Sequence, residues 1–174
     1  RFTHWARAFN INSADASNER TLRDTSNSEL LGQHSYRSPS VFNFYRPGYI
    51  APGSETGAAQ LTGPELQIAN ASSVVGYPNF LTIYALGRSP KINPALAPAY
   101  VANYEVETAL AADPEALLDH LDLLLTHGTL FKETRSRITE ALNVIDPGTK
   151  AGRLARAQLA SVMVMTAPEY IVLR

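Results

Sequence analysis

The stretch DPEALLDHLDLLLTHG, residues 113–128, decides the fold of this chain. Asp113 has the short acceptor side chain that caps a helix, Pro114 suits the first helical position, and Gly128 is a typical stop. At 100° per residue the leucine side chains fall within an arc of about 120°, namely Leu117, Leu118, Leu121, Leu124 and Leu125. The polar side chains fill a separate arc of about 60°, namely Glu115, Asp119, Asp122 and Thr126. This pattern predicts an amphipathic helix whose leucine face lies in a core.

Two further helices are predicted downstream of this stretch. Residues 129–144 carry an apolar stripe at helical spacing, and Asp146-Pro147-Gly148 predicts the turn that follows. The last helix is predicted over residues 150–166, and from Ala157 to Met165 it is apolar nearly all round. Such a helix is buried on most of its sides. We expect this face to dock on a part of the protein that lies outside the chain.

The upstream sequence is also predicted to be helical or looped. Residues 1–9 place Phe2, Trp5, Ala6 and Phe9 at helical spacing, whereas residues 10–36 are polar and favour turns, with one short helical turn expected near Ser28–Gly32. Pro64 suits the start of a helix, and another is expected over about 72–86, with Pro78 inside it and Gly87 as its stop.

The predicted fold class is therefore all-α, an irregular helical array with one long loop strapped across the helices. The sequence contains no internal repeat and no alternating strand pattern of any length. We expect a single helical domain over residues 1–174, with short helices and loops in residues 1–63 and the helical core in residues 64–174.

Composition limits the classes of function. The 174 residues carry a net charge of −1, which gives no broad attraction to nucleic acid or to an anionic membrane surface. The chain has no cysteine, which excludes disulfides, thiolate zinc sites and a cysteine nucleophile. No apolar run reaches the roughly 18 residues that a membrane span needs. Charged residues make up only 18%, so we expect part of the surface to be covered by other protein.

The histidines and acids do not form a catalytic or metal-binding pattern. Of the four histidines, His4, His34, His120 and His127, the last two are seven residues apart, which places them about 10 Å apart on one helix side. Metal pairs on a helix prefer spacings of three or four. Glu105 and Glu107 face apart on a helix, and we expect both to be exposed. We therefore expect no bound metal, no cofactor and no catalytic activity of this chain alone.

Two sequence motifs have mainly structural interpretations. The nucleophile-elbow, dinucleotide-binding and phosphate-loop patterns are absent from the sequence. Asn70-Ala71-Ser72 matches a glycosylation sequon. Because this tripeptide lies at a predicted helix junction, we expect it to cap the helix.

Residues 38–53, SPSVFNFYRPGYIAPG, are called the aromatic loop below. They hold four aromatic residues and three prolines, a composition that neither a helix nor a strand favours. A structural interpretation makes the aromatic side chains core anchors and Arg46 a pinning residue that donates to carbonyls at helix ends or to a buried acid. A functional interpretation makes this stretch a wall of a binding cleft, lined by Arg37, Phe42, Phe44, Tyr45, Arg46 and Tyr49.

The same residues carry a family resemblance. The blocks RSPSVFNFYRPGYIAPG at 37–53, PELQIANASSVVGYPNFL at 64–81, LLDHLDLLLTHGTL at 117–130 and VMVMTAPEYIVLR at 162–174 resemble the carboxy-terminal part of the bacterial family known as domain of unknown function 1800. RFTHWARAFN at 1–10 resembles the segment just before them. The resemblance implies an exported, periplasmic or extracellular bacterial protein of several hundred residues, whose His-rich and acidic motifs precede this chain. No catalytic residue of the family can be assigned to these positions.

Two functions remain open at this point. In the first, the chain is a structural and interaction domain whose partner is the remainder of its parent protein or another protein chain. The start at Arg1, within a predicted helix, leads us to expect a processed or partial product. In the second, the chain supplies a substrate-binding wall to a hydrolase of envelope polymers, whose catalytic residues lie in the preceding part.

Overall fold

The computed structural model describes residues 2–10, 12–13, 32–33, 37–86 and 100–171. The chain is all-α, as predicted. In chain order the helices are α1 Phe2–Ala8, α2 Glu55–Ala58, α3 Ala71–Ala85, α4 Glu105–Leu110, α5 Pro114–Leu121, α6 Lys132–Asn143, α7 Lys150–Thr166 and α8 Pro168–Ile171, with a 3₁₀ helix at Pro64–Ile68 and a π-helical turn at Asp122–Thr126.

The β-structure of the described residues is small. β1, Asn12–Ser13, pairs antiparallel with β2, Tyr100–Val101, so that Asn12 lies opposite Val101. A two-residue strand has no room for the alternating pattern that marks longer strands, so the sequence carried no signal for it. The predicted helical turn near Ser28–Gly32, apart from Gly32 itself, and the predicted stop at Gly87 lie outside the described residues.

The chain divides into two compact units. One unit comprises Arg1–Thr21 with Leu81–Arg174, and the other comprises Leu22–Phe80. The boundary between them falls inside α3. The first unit contains α1 and all the helices from α4 onward, with most of the fully buried large side chains, including Trp5, Leu121 and Tyr170.

The stretch 113–128 folds as its pattern predicts. The Asp113 side chain accepts a hydrogen bond from the backbone N–H of Glu115 at 3.0 Å, and Pro114 is the first residue of α5. Four of the five leucines of the predicted face are buried, namely Leu117, Leu118, Leu121 and Leu125, and Leu124 is half-buried. The capping residue therefore correctly predicts where this helix starts, and the spacing of the leucines correctly predicts which face is buried.

The end of this stretch departs from a regular helix. The chain widens into the π-helical turn Asp122–Thr126, and the backbone N–H of His127 donates to the Asp122 carbonyl five residues earlier. His127 and Gly128 both adopt left-handed backbone conformations, with φ values of 59° and 78°. His127 is therefore the cap residue, and Gly128 follows it directly, where a left-handed glycine typically ends a helix.

α7 is the central helix of its unit. It packs against α4, α5, α6, α8 and the π-helical turn. Its buried residues include Ala157, Ala160, Ser161, Val164 and Met165. The expectation that its apolar surface docks outside the chain is therefore wrong for these residues, because helices of the same chain cover them.

Caps fix the ends of two further helices. At the start of α3, Ser73 N–H donates to the Asn70 side chain and Asn70 N–H donates to the Ser73 hydroxyl, each at 3.0 Å. This reciprocal pair confirms that Asn70 is a helix cap. The cap of α6 is remote in sequence, because Glu169 accepts from the Phe131 N–H at 3.1 Å and from the Thr134 hydroxyl at 2.7 Å. Phe131 occupies the N-cap position, and its side chain has no atom that can accept a capping hydrogen bond.

Leu121→Ala is expected to lower the free energy of unfolding by about 2–4 kcal/mol, because Leu121 is fully buried at the centre of the leucine face. Leu123→Ala is the matched control, since Leu123 on the adjoining turn is 73% exposed and its loss should cost less than about 0.5 kcal/mol. Urea unfolding of the two variants and the wild type measures both values. Equal losses in the two variants would contradict this assignment of the core.

Candidate functional site

The residues predicted to form a binding wall lie on a surface segment. Arg37, Phe42 and Arg46 are exposed, and Phe44, Tyr45 and Tyr49 are half-buried. The aromatic loop is held to the 3₁₀ segment by two hydrogen bonds, from the Arg46 backbone N–H to Gln67 at 2.7 Å and from the Gly63 N–H to the Tyr49 carbonyl at 2.9 Å. The interpretation of its aromatic side chains as core anchors is wrong, because none of the four is buried.

The pinning role predicted for Arg46 belongs to a different arginine. The Arg46 guanidinium is exposed and has no hydrogen-bond or ion-pair partner among the described residues. Arg156, on α7, is only 4% exposed. Its Nε donates to the Ile145 carbonyl at 2.8 Å, and its Nη1 donates to the Ala111 carbonyl at 3.1 Å. These carbonyls follow the ends of α6 and α4, so one side chain ties two helix ends to the central helix.

Glu107 is buried, contrary to the prediction that it is exposed. Its carboxylate lies 2.8 Å from Nε2 of His120 and is only 6% exposed, whereas the His120 side chain is about one third exposed. Two more buried polar side chains, Tyr104 and Ser161, lie near the Glu107–His120 pair. The two-residue spacing correctly predicted that Glu105 and Glu107 lie on different faces of α4. It could not show that the face with Glu107 packs toward α5.

The polar arc of α5 contacts α6. Arg135 of α6 forms ion pairs with Glu115, Asp119 and Asp122, at 3.1 Å to Glu115 and 3.4 Å to Asp122. Burial alone would lower the pKa of Arg135, but its hydrogen bonds to Asp119 and Glu115 outweigh that effect, and the pKa lies above its usual value. Asp122 is also buried and accepts from the Leu130 N–H at 3.0 Å. This network links two helices and uses three of the five donor hydrogens of Arg135.

His4 and His127 belong to the first unit, where His4 is half-buried and His127 is exposed. The rings of His4 and His127 stack with centroids 6.0 Å apart, and His4 also stacks on Tyr170 at 6.2 Å. His127 is not on the same helix side as His120, because the π-helical turn ends the helix before it. In the described ranges no group of three or more His, Cys, Asp or Glu side chains could hold a metal ion. His34 lies outside those ranges.

An open groove of about 810 Å³ lies between α4 and the first turns of α7. Asn103, Tyr104, Glu105 and Thr108 line one wall, and Lys150 and Arg153 line the other. The segment before α4 is fixed by the Asn103 N–H, which donates to the Phe9 carbonyl at 2.8 Å. Volumes of about 300–1,000 Å³ are typical of small-molecule sites. No sequence motif marked this groove, because its walls are distant in the chain.

Comparison with protein families identifies the chain. The model of the family described as "Protein of unknown function (DUF1800)" matches residues 2–172. The chain belongs to the DUF1800 family. The match covers the four blocks that carried the resemblance, apart from the last two residues of the fourth, and confirms the family. A search of curated proteins and a search of solved structures each found no match for this DUF1800 chain. Within the part of the chain that the structure describes, no helix is both long and apolar enough to cross a lipid bilayer.

Arg156→Lys in the DUF1800 chain is expected to lower the free energy of unfolding by about 1–3 kcal/mol, because lysine cannot direct two donors at two separate carbonyls and leaves one of them buried without a partner. Arg46→Lys is the matched control and should change stability by less than about 0.5 kcal/mol, because the Arg46 side chain is exposed and unpaired in the described structure. Thermal and urea unfolding measure both. A larger loss in the Arg46 variant would restore the original interpretation of the aromatic loop.

Tyr104 makes the stability of the DUF1800 chain decrease at alkaline pH. Burial raises the pKa of Tyr104 well above the ordinary tyrosine value of about 10; the nearby Ser161 hydroxyl opposes this shift and the charge of Glu107 adds to it. The folded state therefore keeps a proton that the unfolded state releases above about pH 10, so this contribution to stability is complete below that pH and is lost as the pH rises. Tyr104→Phe has no proton to release, and its stability should fall less steeply.

The slopes should differ by at most about 1.4 kcal/mol per pH unit, the limit for one proton. Urea unfolding between pH 8 and about pH 12 measures them. Parallel curves for the wild type and Tyr104→Phe would show that this hydroxyl ionises alike in the folded and unfolded states.

Proposed function

We propose that this chain is a structural and interaction domain of a larger exported bacterial protein, and that residues 37–75 form its interaction surface. One observation carries the proposal: none of residues 37–75 is buried. The same segment holds large apolar side chains that are exposed, namely Val41, Phe42, Leu61, Leu66, Val74 and Val75. A segment that exposes apolar side chains and buries none is suited to a protein interaction site.

The segment is ordered by local hydrogen bonds rather than by a core. Ser54 caps α2 by accepting from the Gly57 N–H at 2.9 Å, and the Asn70–Ser73 pair caps α3. A helix and loops held in this way keep a defined surface without burying it. Such a surface is suited to a partner that supplies the missing apolar contacts.

The proposed partner is the remainder of the parent protein. Family resemblance supports a parent with a long preceding part, and the low fraction of charged residues is consistent with a surface that is covered by protein. An exported location belongs to the same proposal and rests on the same resemblance. In this function the chain contributes no catalytic group of its own.

Val41→Ser combined with Phe42→Ser tests the interaction surface. These side chains are 94% and 57% exposed, so the melting temperature of the chain should not change. Association with the remaining part of the parent protein, supplied as a separate chain, should weaken about tenfold or more, because burying such side chains contributes about 1.5–3 kcal/mol each. Sedimentation of the mixture measures the affinity.

Val144→Ser is the matched control, because Val144 is 86% exposed and belongs to the other unit. It should leave both the melting temperature and the association unchanged. If the Val41 and Phe42 double variant associates as tightly as this control, residues 41 and 42 are not part of the interface.

A second candidate function is a substrate-binding wall for an envelope-polymer hydrolase. The exposure of Arg37 and Arg46 favours it, since both guanidinium groups are open to an anionic ligand, and half-buried Tyr45 and Tyr49 offer ring faces nearby in sequence. The two candidates differ in the behaviour of Arg46 variants of the parent protein. Loss of polymer binding with unchanged association would favour the wall over the interaction surface.

A further inference from the structure

The groove between α4 and α7 has charged walls that do not neutralise each other. Glu105 lines one wall, and Lys150 and Arg153 line the other. In the described structure no ion pair joins Glu105 to either base, although all three side chains border the same space. Opposite charges that face one groove without pairing are available to a molecule placed between them.

The two bases of the groove have spare hydrogen-bond donors. Arg153 makes one long hydrogen bond, from Nη1 to the Pro147 carbonyl at 3.5 Å. A guanidinium has five donor hydrogens, so most of its capacity is unused. Lys150 is exposed and has no partner among the described residues. By contrast, Arg135 and Arg156, on α6 and on α7, are occupied by three acids and by two carbonyls respectively.

Two backbone N–H groups in the first turn of α7 are already paired. The Gly152 N–H donates to the Thr149 hydroxyl at 3.0 Å, and the Arg153 N–H donates to the Thr149 carbonyl at 3.0 Å. These donors are already used by the helix cap. The charged groups available in the groove are the side chains of its walls.

The opposite wall accepts and donates hydrogen bonds. Glu105 is exposed, and Thr108 follows it by three residues on the same face of α4. Asn103 also lines this wall, and its Oδ1 accepts from the Glu105 N–H at 2.9 Å, which leaves its amide N–H₂ group for a ligand. Ala102, Ala109 and Leu154 add apolar surface between the polar groups.

We propose that this groove is a binding site for a small molecule that carries a carboxylate together with hydroxyl or amide donors. The carboxylate lies against Lys150 and Arg153, where the guanidinium binds it through two parallel hydrogen bonds. The donors of the molecule face Glu105 and Thr108 on α4. The volume of about 810 Å³ fits a ligand with the size of a disaccharide or a short peptide. This inference does not depend on the interaction surface at residues 37–75.

Two matched pairs of probes test the proposal on the full chain. D-glucuronate and D-glucose differ at a single carbon that carries the carboxylate, and the N-acetyl methylamides of glutamate and glutamine differ in the same way for a peptide. The measurement is the movement of backbone amide resonances during titration at low ionic strength, because salt screens exposed charges. We expect at least one carboxylate probe to bind about tenfold more tightly than its neutral partner, with the largest movements at Asn103, Thr108 and Arg153.

Substitutions then assign the preference to the groove. Lys150→Gln combined with Arg153→Gln should abolish the difference between the charged and neutral probes. Arg137→Gln is the control, because Arg137 is exposed on α6 and does not line the groove, and it should keep the full difference. Both variants replace surface or half-buried side chains, and their melting temperatures check that the fold is intact.

The outcomes separate the possible sources of the carboxylate. Preference for glucuronate alone identifies a sugar acid, preference for the glutamate derivative alone identifies an acidic peptide, and preference in both pairs identifies the carboxylate itself. Equal binding within both pairs, no binding of any probe, or equal loss in the Arg137 control would overturn the proposal.

Discussion

The buried guanidinium of Arg156 is the interaction on which the arrangement of the helices depends. It lies on α7 and donates to carbonyls that follow α4 and α6. The last carbonyls of a helix have no partner within the helix, and a buried one without a partner is costly. By satisfying one carbonyl just past the end of each of two helices, Arg156 ties both ends to a third helix. The leucine face of α5 and the residues of α8 pack around this frame.

The sequence-based predictions are accurate where the signal is local. Asp113 and Pro114 place the start of α5, and the period of the leucines identifies its buried face. The bounds predicted for α7 are the observed ones, because Lys150 follows a clear turn and Pro168 follows the helix end. In each case the deciding residues lie within one or two turns of the feature that they determine.

The predictions fail where a side chain acts on a distant segment. The pinning role was predicted for Arg46, and only the packing of α7 shows that Arg156 is the buried arginine. Glu107 was expected to be exposed. Its burial depends on a contact with His120, 13 positions along the chain, which the local sequence does not reveal. The walls of the groove are similarly separated, so neither composition nor spacing marks them. A site of this kind is visible only when the helices are assembled.

Two parts of the chain contrast in how they are stabilised. The helices from α4 onward bury apolar side chains against each other and link their polar faces through Arg135 and Asp122. Residues 37–75 bury none and depend on caps and short-range hydrogen bonds. The DUF1800 chain therefore combines a stable helical cluster with a segment whose apolar side chains face outward. Within the cluster, the groove beside Lys150 and Arg153 offers a separate place for a small ligand.

The cap that Glu169 provides for α6 has a consequence for protein synthesis. Phe131 and Thr134 leave the ribosome 38 and 35 residues before the carboxylate that binds them. Until Glu169 has emerged, the Phe131 N–H and the Thr134 hydroxyl do not have this acceptor. The contact between Arg156 and Ala111 likewise spans 45 residues. The contacts of Glu169 with the start of α6 can therefore form only after the segment that contains α8 has left the exit tunnel.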